Sequence, residues 1–197
     1  EHGMVRWPGP IGRPRRASII DTAQGPKKRS PRSDAAATRE KSMEINELVQ
    51  AIQTLNAEDA FRARLNLEQW RTIAPYLTRH DIRSGDLLIK QGDTDRSMYF
   101  LAQGSLQVFV TGGPPGSSRI AILRAGSVVG EPGLFGETAR MANVEAMTPC
   151  VVWALRGPRL EELAQRSPAL ALELLRTAGS VMATRMRANL AKQTPFS

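Results

Sequence analysis

Apolar residues recur at helical spacing in the first part of the chain with a regular pattern, residues 43–78. Most of them stand three or four positions apart, as one buried face of a helix requires. The polar stretch from Asn56 to Asp59 interrupts this pattern, so we expect two helices rather than one. The recurring residues are Ile45, Leu48, Ile52, Leu55, Leu65, Leu67, Trp70 and Ile73.

The pattern changes over residues 79–156, where short β-prone runs alternate with glycine turns. In the run "SLQVFV", aliphatic side chains alternate with Gln107 and Phe109, which is close to the period of two that a strand shows. The stretch "TGGPPGSS" is typical of a hairpin loop. Strands about ten residues apart, with no helix between them, predict an antiparallel barrel or sandwich.

Helical spacing returns over residues 157–192. Pro158 and Pro168 stand at first helical positions, and Ser167 is a candidate N-cap. The final stretch carries an apolar stripe. This stripe would cap a ligand, form the interface of a dimer or face the barrel. Of these alternatives, we favour packing in the core or in a dimer. The stripe consists of Leu170, Leu174, Ala178, Val181, Met182, Met186 and Leu190.

Residues 1–42 are rich in Pro, Gly, Ser and Arg and show no periodicity, so we expect a disordered basic tail or linker. The net charge of +8 is concentrated there. The tail holds ten Lys/Arg and four Asp/Glu, whereas residues 43–197 hold seventeen Lys/Arg and fifteen Asp/Glu. A nearly neutral body argues against a broad nucleic-acid-binding face. We expect no DNA partner, also because the seven residues after Leu190 are too few for a helix-turn-helix.

Several function classes find no support in the sequence. The two histidines and one cysteine lie far apart and form no metal-ligand or nucleophile–base set, and no P-loop occurs. We therefore expect neither an enzyme nor a metal or cofactor. No apolar run reaches the roughly eighteen residues of a membrane helix, and no signal peptide begins the chain, so we expect a cytoplasmic protein.

The segment "VGEPGLFGETARMANVEA", residues 129–146, carries the candidate chemistry. "EPGLF" predicts one helical turn starting at Pro132, and a helix start favours a bound phosphate. Arg140 offers a planar donor fork for phosphate oxygens, whereas Glu131 would repel a phosphate but accept a hydrogen bond from a sugar hydroxyl. Small residues let the backbone approach a ligand closely: Gly133, Gly136, Ala139 and Ala142. Together these features predict a ribose-phosphate site.

The blocks "GEPGL" and "ARMANV" resemble the phosphate-binding cassette of the cyclic-nucleotide-binding domain family, including the spacing from its glutamate to its arginine. The upstream stretch "SGDLLIKQGDTDRSMYFLAQGSLQVFV" resembles the first hairpins of that family. The similarity covers the chain from about Leu65 to Leu190. Within the family, this part of the chain resembles a catabolite-activator-like sensor domain without the helix-turn-helix. It implies a mainly β fold, an eight-stranded antiparallel jelly-roll barrel with N-terminal and C-terminal helices.

The resemblance also implies roles for individual residues. Glu131 would bind the ribose 2′-hydroxyl and Arg140 the cyclic phosphate, and backbone amides near Gly133 and Ala142 would complete the anion site. The ligand-binding set implied in this way is Val129, Gly130, Glu131, Pro132, Gly133, Arg140, Met141, Ala142 and Asn143.

The cassette departs from the family's pattern at three positions. Ala139 replaces the usual proline, which should loosen the loop. Asn143 replaces the usual Thr or Ser, but an amide still forms hydrogen bonds. Met141 stands where cGMP-preferring members carry a hydroxyl that reads the guanine edge. Because methionine cannot form that bond, we expect cAMP to be favoured over cGMP.

The leading expectation is a cyclic-nucleotide sensor that signals to an unidentified protein effector through movement of its C-terminal helix. One alternative is a nucleotide-free interaction or dimerisation module, a homodimer formed through the last helix. Under that alternative, Glu131 and Arg140 would form a structural salt bridge that holds the loop.

Overall fold

The structure, a computed structural model, describes residues 31–112, 119–136 and 138–193. The described chain begins with helices α1, Pro31–Thr54, and α2, Leu67–Ile73, followed by a 3-10 turn at Ala74–Tyr76. A capping box starts α2: the Asn66 side chain accepts a hydrogen bond from the Gln69 N–H, and the Gln69 side chain accepts one from the Asn66 N–H. The break predicted between the helices is confirmed.

Helix α1 starts at Pro31, inside the segment that we assigned to the tail. Residues 35–41, "AAATREK", are mostly strong helix formers, but they lack the apolar residues on which the periodicity argument depends. The helical region therefore extends further towards the N-terminus than residue 43. Residues 1–30 lie outside the described residues, so their disorder stays a prediction.

Two four-stranded antiparallel sheets form a jelly roll in the described part of the chain, as predicted. The strand order is β1-β8-β3-β6 in one sheet and β2-β7-β4-β5 in the other. The strands are β1 Leu77–Ile82, β2 Leu87–Ile89, β3 Ser97–Gln103, β4 Ser105–Phe109, β5 Arg119–Arg124, β6 Val128–Val129, β7 Asn143–Ala146 and β8 Cys150–Arg156.

Strand β3 lies between two hydrophobic cores, which explains why nearly all of its side chains are buried. Tyr99 and Leu101 belong to the core between the sheets, whereas Phe100 faces the helices. The Phe100 ring contacts those of Phe61 and Trp70 edge to face, with centroid distances of 5.2 and 5.8 Å. These contacts attach the N-terminal helices to the barrel.

Three further helices complete the fold: α3 Pro132–Phe135, α4 Gly157–Arg166 and α5 Pro168–Gln193. The apolar stripe predicted for α5 divides into two parts. Its first part, ending at Val181, is largely buried in the helical core, but Met186 and Leu190 beyond it are 60% and 57% exposed. No helix in the described ranges is long and apolar enough to cross a membrane.

Candidate functional site

The predicted cassette connects β6 to β7 across one edge of the barrel. Gly130 follows β6 with φ +82°, a left-handed conformation that favours glycine, and turns the chain from the strand towards α3. Pro132 starts α3 at its first turn, as predicted. The chain then returns through Arg140 to β7.

The guanidinium of Arg140 is buried and held by two backbone carbonyls. Its Nη1 donates to the Gly130 oxygen at 2.8 Å, and its Nη2 donates to the Ser97 oxygen at 2.6 Å. A Cβ added to Gly133 would lie 2.5 Å from Nη1, so glycine is needed here to make room for the arginine. Gly133 thus accommodates Arg140, and the close approach of a ligand to its backbone stays a prediction.

The turn between β2 and β3 is attached to the backbone of Arg140. The Arg140 N–H donates to the Asp93 oxygen at 2.7 Å, and the Arg140 oxygen accepts from the Gly92 N–H at 2.9 Å. This pairing brings Asp95 against the guanidinium, where Oδ1 accepts from Nε at 2.9 Å and Oδ2 accepts from Nη2 at 2.7 Å. We call Arg140, Asp95, Ser97 and Gly130 the Arg140 cluster.

Asp95 is the accessible member of the Arg140 cluster, since 44% of its side chain is exposed. Partial burial acts to raise the pKa of Asp95, but the hydrogen bond and the charge of Arg140 outweigh it and hold the pKa below its ordinary value. The carboxylate is therefore ionised at neutral pH. The Asp95 carboxylate therefore already accepts hydrogen bonds from two nitrogens of the Arg140 guanidinium, Nε and Nη2.

Glu131 lies beside this cluster but has a different partner. It is 2% exposed, and its Oε1 accepts a hydrogen bond from Nη1 of Arg185 on α5 at 2.5 Å. Arg185 also donates from Nε to Asp59 at 2.7 Å and from Nη2 to the Val128 oxygen at 3.0 Å. Burial raises the pKa of Glu131, and the charge of Arg185 opposes that rise. We call Glu131, Arg185, Asp59 and Val128 the Glu131 cluster.

Glu131 and Arg140 do not pair with each other. Among the described residues, the ion-pair partner of Glu131 is Arg185 and that of Arg140 is Asp95. The structural salt bridge that we left open as an alternative is therefore wrong. Each of the two residues keeps its own counter-ion.

The remaining predicted residues lie around these clusters. The Val129 side chain belongs to the core between the sheets, and Ala142 is half-buried just before β7. Met141 is 74% exposed. Asn143 is buried, and its Oδ1 accepts from the Gln91 N–H at 2.9 Å, so its side chain supports the end of β2. The structure thus brings together Gly130, Glu131, Gly133 and Arg140, but it directs the Val129 side chain into the core between the sheets and the Asn143 side chain to the backbone of Gln91.

Sequence reasoning missed three charged residues of the two clusters: Asp95, Asp59 and Arg185. Asp95 lies 45 positions from Arg140, and Arg185 lies 54 positions from Glu131. The local sequence signal for Asp95 is the block "GDTD", which predicts a turn but does not indicate that its second aspartate meets Arg140.

The two clusters place a buried cation and a buried carboxylate side by side, a combination suited to a ligand with an anionic group and a hydroxyl. No group of three or more His, Cys, Asp or Glu side chains in the described ranges is arranged to hold a metal ion.

Comparisons with known proteins point to one family. The family model "Cyclic nucleotide-binding domain" matches residues 79–167. The human cyclic nucleotide-gated channel beta-3 is 32% identical over 114 residues, which are 56% of this chain and 14% of the channel. The cAMP-activated global transcriptional regulator of Salmonella typhimurium is 30% identical over 109 residues, 55% of this chain and 50% of the regulator. The chain thus matches half or less of the length of these relatives.

A solved structure supports the same assignment at the level of the fold. A cyclic nucleotide-binding domain from Methylobacillus flagellatus superposes with a TM-score of 0.65 at 17% identity, covering 79% of this chain and 87% of that one. The matching family comprises regulatory domains that are typically non-catalytic. Residues 79–167, with the cassette at their centre, therefore belong to the cyclic nucleotide-binding domain family.

Proposed function

We propose that the chain is a cyclic-nucleotide sensor in which Arg140 binds the cyclic phosphate and Glu131 binds the ribose 2′-hydroxyl. The observation that carries this proposal is the fixed guanidinium of Arg140, buried beside α3 and oriented by two carbonyls at 2.8 and 2.6 Å. A donor fork fixed in this way binds an anion with little further loss of side-chain entropy.

Asp95 supports the phosphate assignment because its carboxylate already forms the two parallel hydrogen bonds that a phosphate would form. Its side chain is 44% exposed, so it turns into water at little cost when a phosphate takes its place. The two carbonyls continue to hold Arg140 during this exchange.

We propose that cAMP is favoured over cGMP. Met141 offers no hydrogen-bond donor to a guanine edge. It is 74% exposed, so at this position a bound base would meet a thioether side chain and no polar group that recognises guanine. The Salmonella relative is named as activated by cAMP, which agrees with this preference.

Isothermal titration of the full chain with cAMP, cGMP and cyclic-di-GMP tests the proposal. Arg140→Ala should weaken cAMP binding about 100-fold or more, because it removes a desolvated charged partner of the phosphate. Arg71→Ala, which removes an exposed arginine paired with Glu68 on α2, should leave the affinity unchanged. Full cAMP affinity in Arg140→Ala would overturn the proposal.

The output of the sensor would be carried by α5, to an unidentified protein effector or to a second copy of the chain. The exposed Met186 and Leu190 on its second half are available for such contacts.

A second function is a nucleotide-free interaction module. The observation in its favour is that Glu131 and Arg140 already have counter-ions within the chain. Thermal unfolding separates the two functions, because a ligand that binds the native state must raise the melting temperature. An unchanged melting temperature with every nucleotide favours the module.

A further inference from the structure

Strand β1 forms one edge of its sheet. It stands at the end of the strand order β1-β8-β3-β6 and pairs with β8 on one side, so its other side meets no strand in the described part of the chain. The hydrogen bonds of the described turns, loops and caps do not involve the backbone of residues 78–82 either. An unpaired strand edge is a template on which another strand can pair.

A cleft lies beside this edge. Its volume is about 290 Å³, and it is lined by residues 79–82 on β1 and by residues 86–88 at the start of β2, the edge strand of the other sheet. Because four consecutive residues of β1 line the cleft, it follows the strand and leaves space along it.

The charges on β1 are arranged symmetrically about His80. Arg79 precedes it and Asp81 follows it, and these two side chains lie on the same face of the sheet, where they form an ion pair. Glu44 of α1 lies on that face as well, with its Oε1 3.2 Å from Nε of Arg79. In an antiparallel pair of identical strands centred on His80, Arg79 of each copy lies opposite Asp81 of the other copy. Opposite charges at such positions stabilise strand pairing.

Other registers of the same self-pairing bring like charges together. A pair centred on Arg79 places the two guanidinium groups opposite each other, and a pair centred on Asp81 does the same with two carboxylates. Like charges directly opposite each other destabilise a strand pair. Edges that avoid pairing typically carry lysine, proline or a bulge, whereas β1 has no lysine or proline and keeps a continuous register with β8. The sequence of β1 thus favours one register of self-pairing.

We propose that β1 is a homodimer interface, in which two copies of the chain pair antiparallel about His80 and join two four-stranded sheets into one sheet of eight strands. The partner is a second copy because the charge pattern of β1 is complementary to itself. Such an interface is isologous, as in most dimers with twofold symmetry. It forms with or without a nucleotide in the cassette.

The two copies of His80 meet on the twofold axis of this dimer. Burial and the charge of Arg156 lower the pKa of His80, although the charge of Asp81 opposes them. Both imidazoles are therefore neutral at neutral pH and do not repel each other across the axis.

Two charge reversals test the interface by sedimentation of the full chain. Arg79→Asp and Asp81→Arg each place charges of one sign at both positions, so each variant meets like charges when it pairs with itself. Both should self-associate about tenfold more weakly than the wild type, or less. An equimolar mixture of the two variants should associate again, because each aspartate then lies opposite an arginine. A folding defect would not be repaired by mixing.

Arg166→Asp is the matched control for these reversals. Arg166 lies on α4, its side chain is 70% exposed, and it pairs with Glu162 at 3.3 Å, away from β1. This variant should self-associate like the wild type.

Cysteine cross-linking tests the register. Residues that lie directly opposite each other in an antiparallel pair have Cα atoms about 4.5–5.5 Å apart, within reach of a disulfide. Mild oxidation should therefore link His80→Cys into a covalent dimer. In Thr78→Cys the two thiols stand four positions out of register, about 13 Å apart, and should not cross-link. The natural Cys150 is 3% exposed, and oxidised wild type controls for it.

The outcomes decide the interface without reference to nucleotide binding. A wild-type dimer that weakens in both reversals and returns in their mixture supports it. The proposal is wrong if the wild type stays monomeric up to about 100 μM, if both reversals leave its dimer intact, or if mixing restores nothing. A dimer that survives both reversals would form through another surface, such as α5. Titration of the same samples with cAMP tests the proposed function separately, so either proposal can fail alone.

Discussion

The Arg140 cluster and the Glu131 cluster are neighbours, but different parts of the fold hold them. Arg140 is fixed by backbone carbonyls of β3 and of the β6–α3 turn, and its outer side meets Asp95 on a turn of the barrel. Glu131 is held by a side chain of α5 that also contacts Asp59 between α1 and α2. One charge is thus positioned by the barrel and the other by the helices.

This difference implies a division of labour within one site. Backbone carbonyls within a β-barrel cannot move without breaking the packed core around them, so Arg140 with the Ser97 and Gly130 carbonyls is a rigid anchor. Long side chains on an exposed helix exchange partners readily, so the Glu131 cluster is the part that responds. Three substitutions test this contrast.

Gly133→Ala should have the largest effect, because it disturbs the rigid anchor. The new Cβ would lie 2.5 Å from Nη1 of Arg140, so the guanidinium must shift from the position in which the two carbonyls hold it. Crowding of a packed site costs about 1–3 kcal/mol of unfolding free energy. Denaturant unfolding should show this loss, and titration should show cAMP affinity reduced by about tenfold or more, since 1.4 kcal/mol is tenfold.

Gly136→Ala is the control for this substitution. It makes the same chemical change three residues later, where an added Cβ meets nothing within 4 Å and φ is −175°, an extended conformation open to any residue. Its stability and affinity should match the wild type. Equal effects of the two substitutions would refute a special role for Gly133.

Glu131→Gln combined with 2′-deoxy-cAMP tests the responsive side. A carboxylate accepts a stronger hydrogen bond from a hydroxyl than an amide oxygen does. We expect the wild type to bind cAMP about tenfold more tightly than 2′-deoxy-cAMP, and Glu131→Gln to reduce this preference to about threefold. Competition titration with the two ligands measures the ratio directly.

Glu145→Gln is the matched control for Glu131→Gln. Glu145 is half-buried on β7 and accepts a hydrogen bond from Gln107 at 2.9 Å, outside both clusters. Its substitution should leave the tenfold ratio intact. A ratio that stays at about tenfold in Glu131→Gln would place the ribose elsewhere.

The sequence predicted the parts of the site that depend on neighbouring residues. The start of α3 at Pro132, and the placement of Glu131 and Arg140 in one connection between two strands, follow from short-range spacing, and so does the strand content of the barrel. These features depend on turns and on a period of two, which a sequence displays directly.

The counter-ions could not be predicted in the same way. Arg185 meets Glu131 only because α5 packs on the helical core through Leu174 and Ala178, and this packing sets which face of the helix meets the cassette. The register of α5 on the core is a tertiary property, and no local pattern encodes it. The start of α1 at Pro31 was missed for a different reason, since helix propensity without an apolar face leaves no periodic signal.

Asp95→Asn should have the smallest effect, and its pH dependence identifies the ion pair. Arg140 holds the pKa of Asp95 below its ordinary value of 3.8, so the folded state binds this proton less readily than the unfolded state. The pair therefore stabilises the fold above that ordinary value, and the contribution disappears as the pH falls through the lowered pKa. Because Asp95 is 44% exposed, the contribution is less than about 1 kcal/mol.

Wild type and Asp95→Asn should differ slightly in unfolding free energy at pH 7 and converge near the acid end of the titration. Asp93→Asn, in the same turn and with its backbone bond to Arg140 retained, should have the unfolding free energy of the wild type at pH 7. A stability difference that persists unchanged into acid would mean that the Asp95 carboxylate acts through packing and not through its charge.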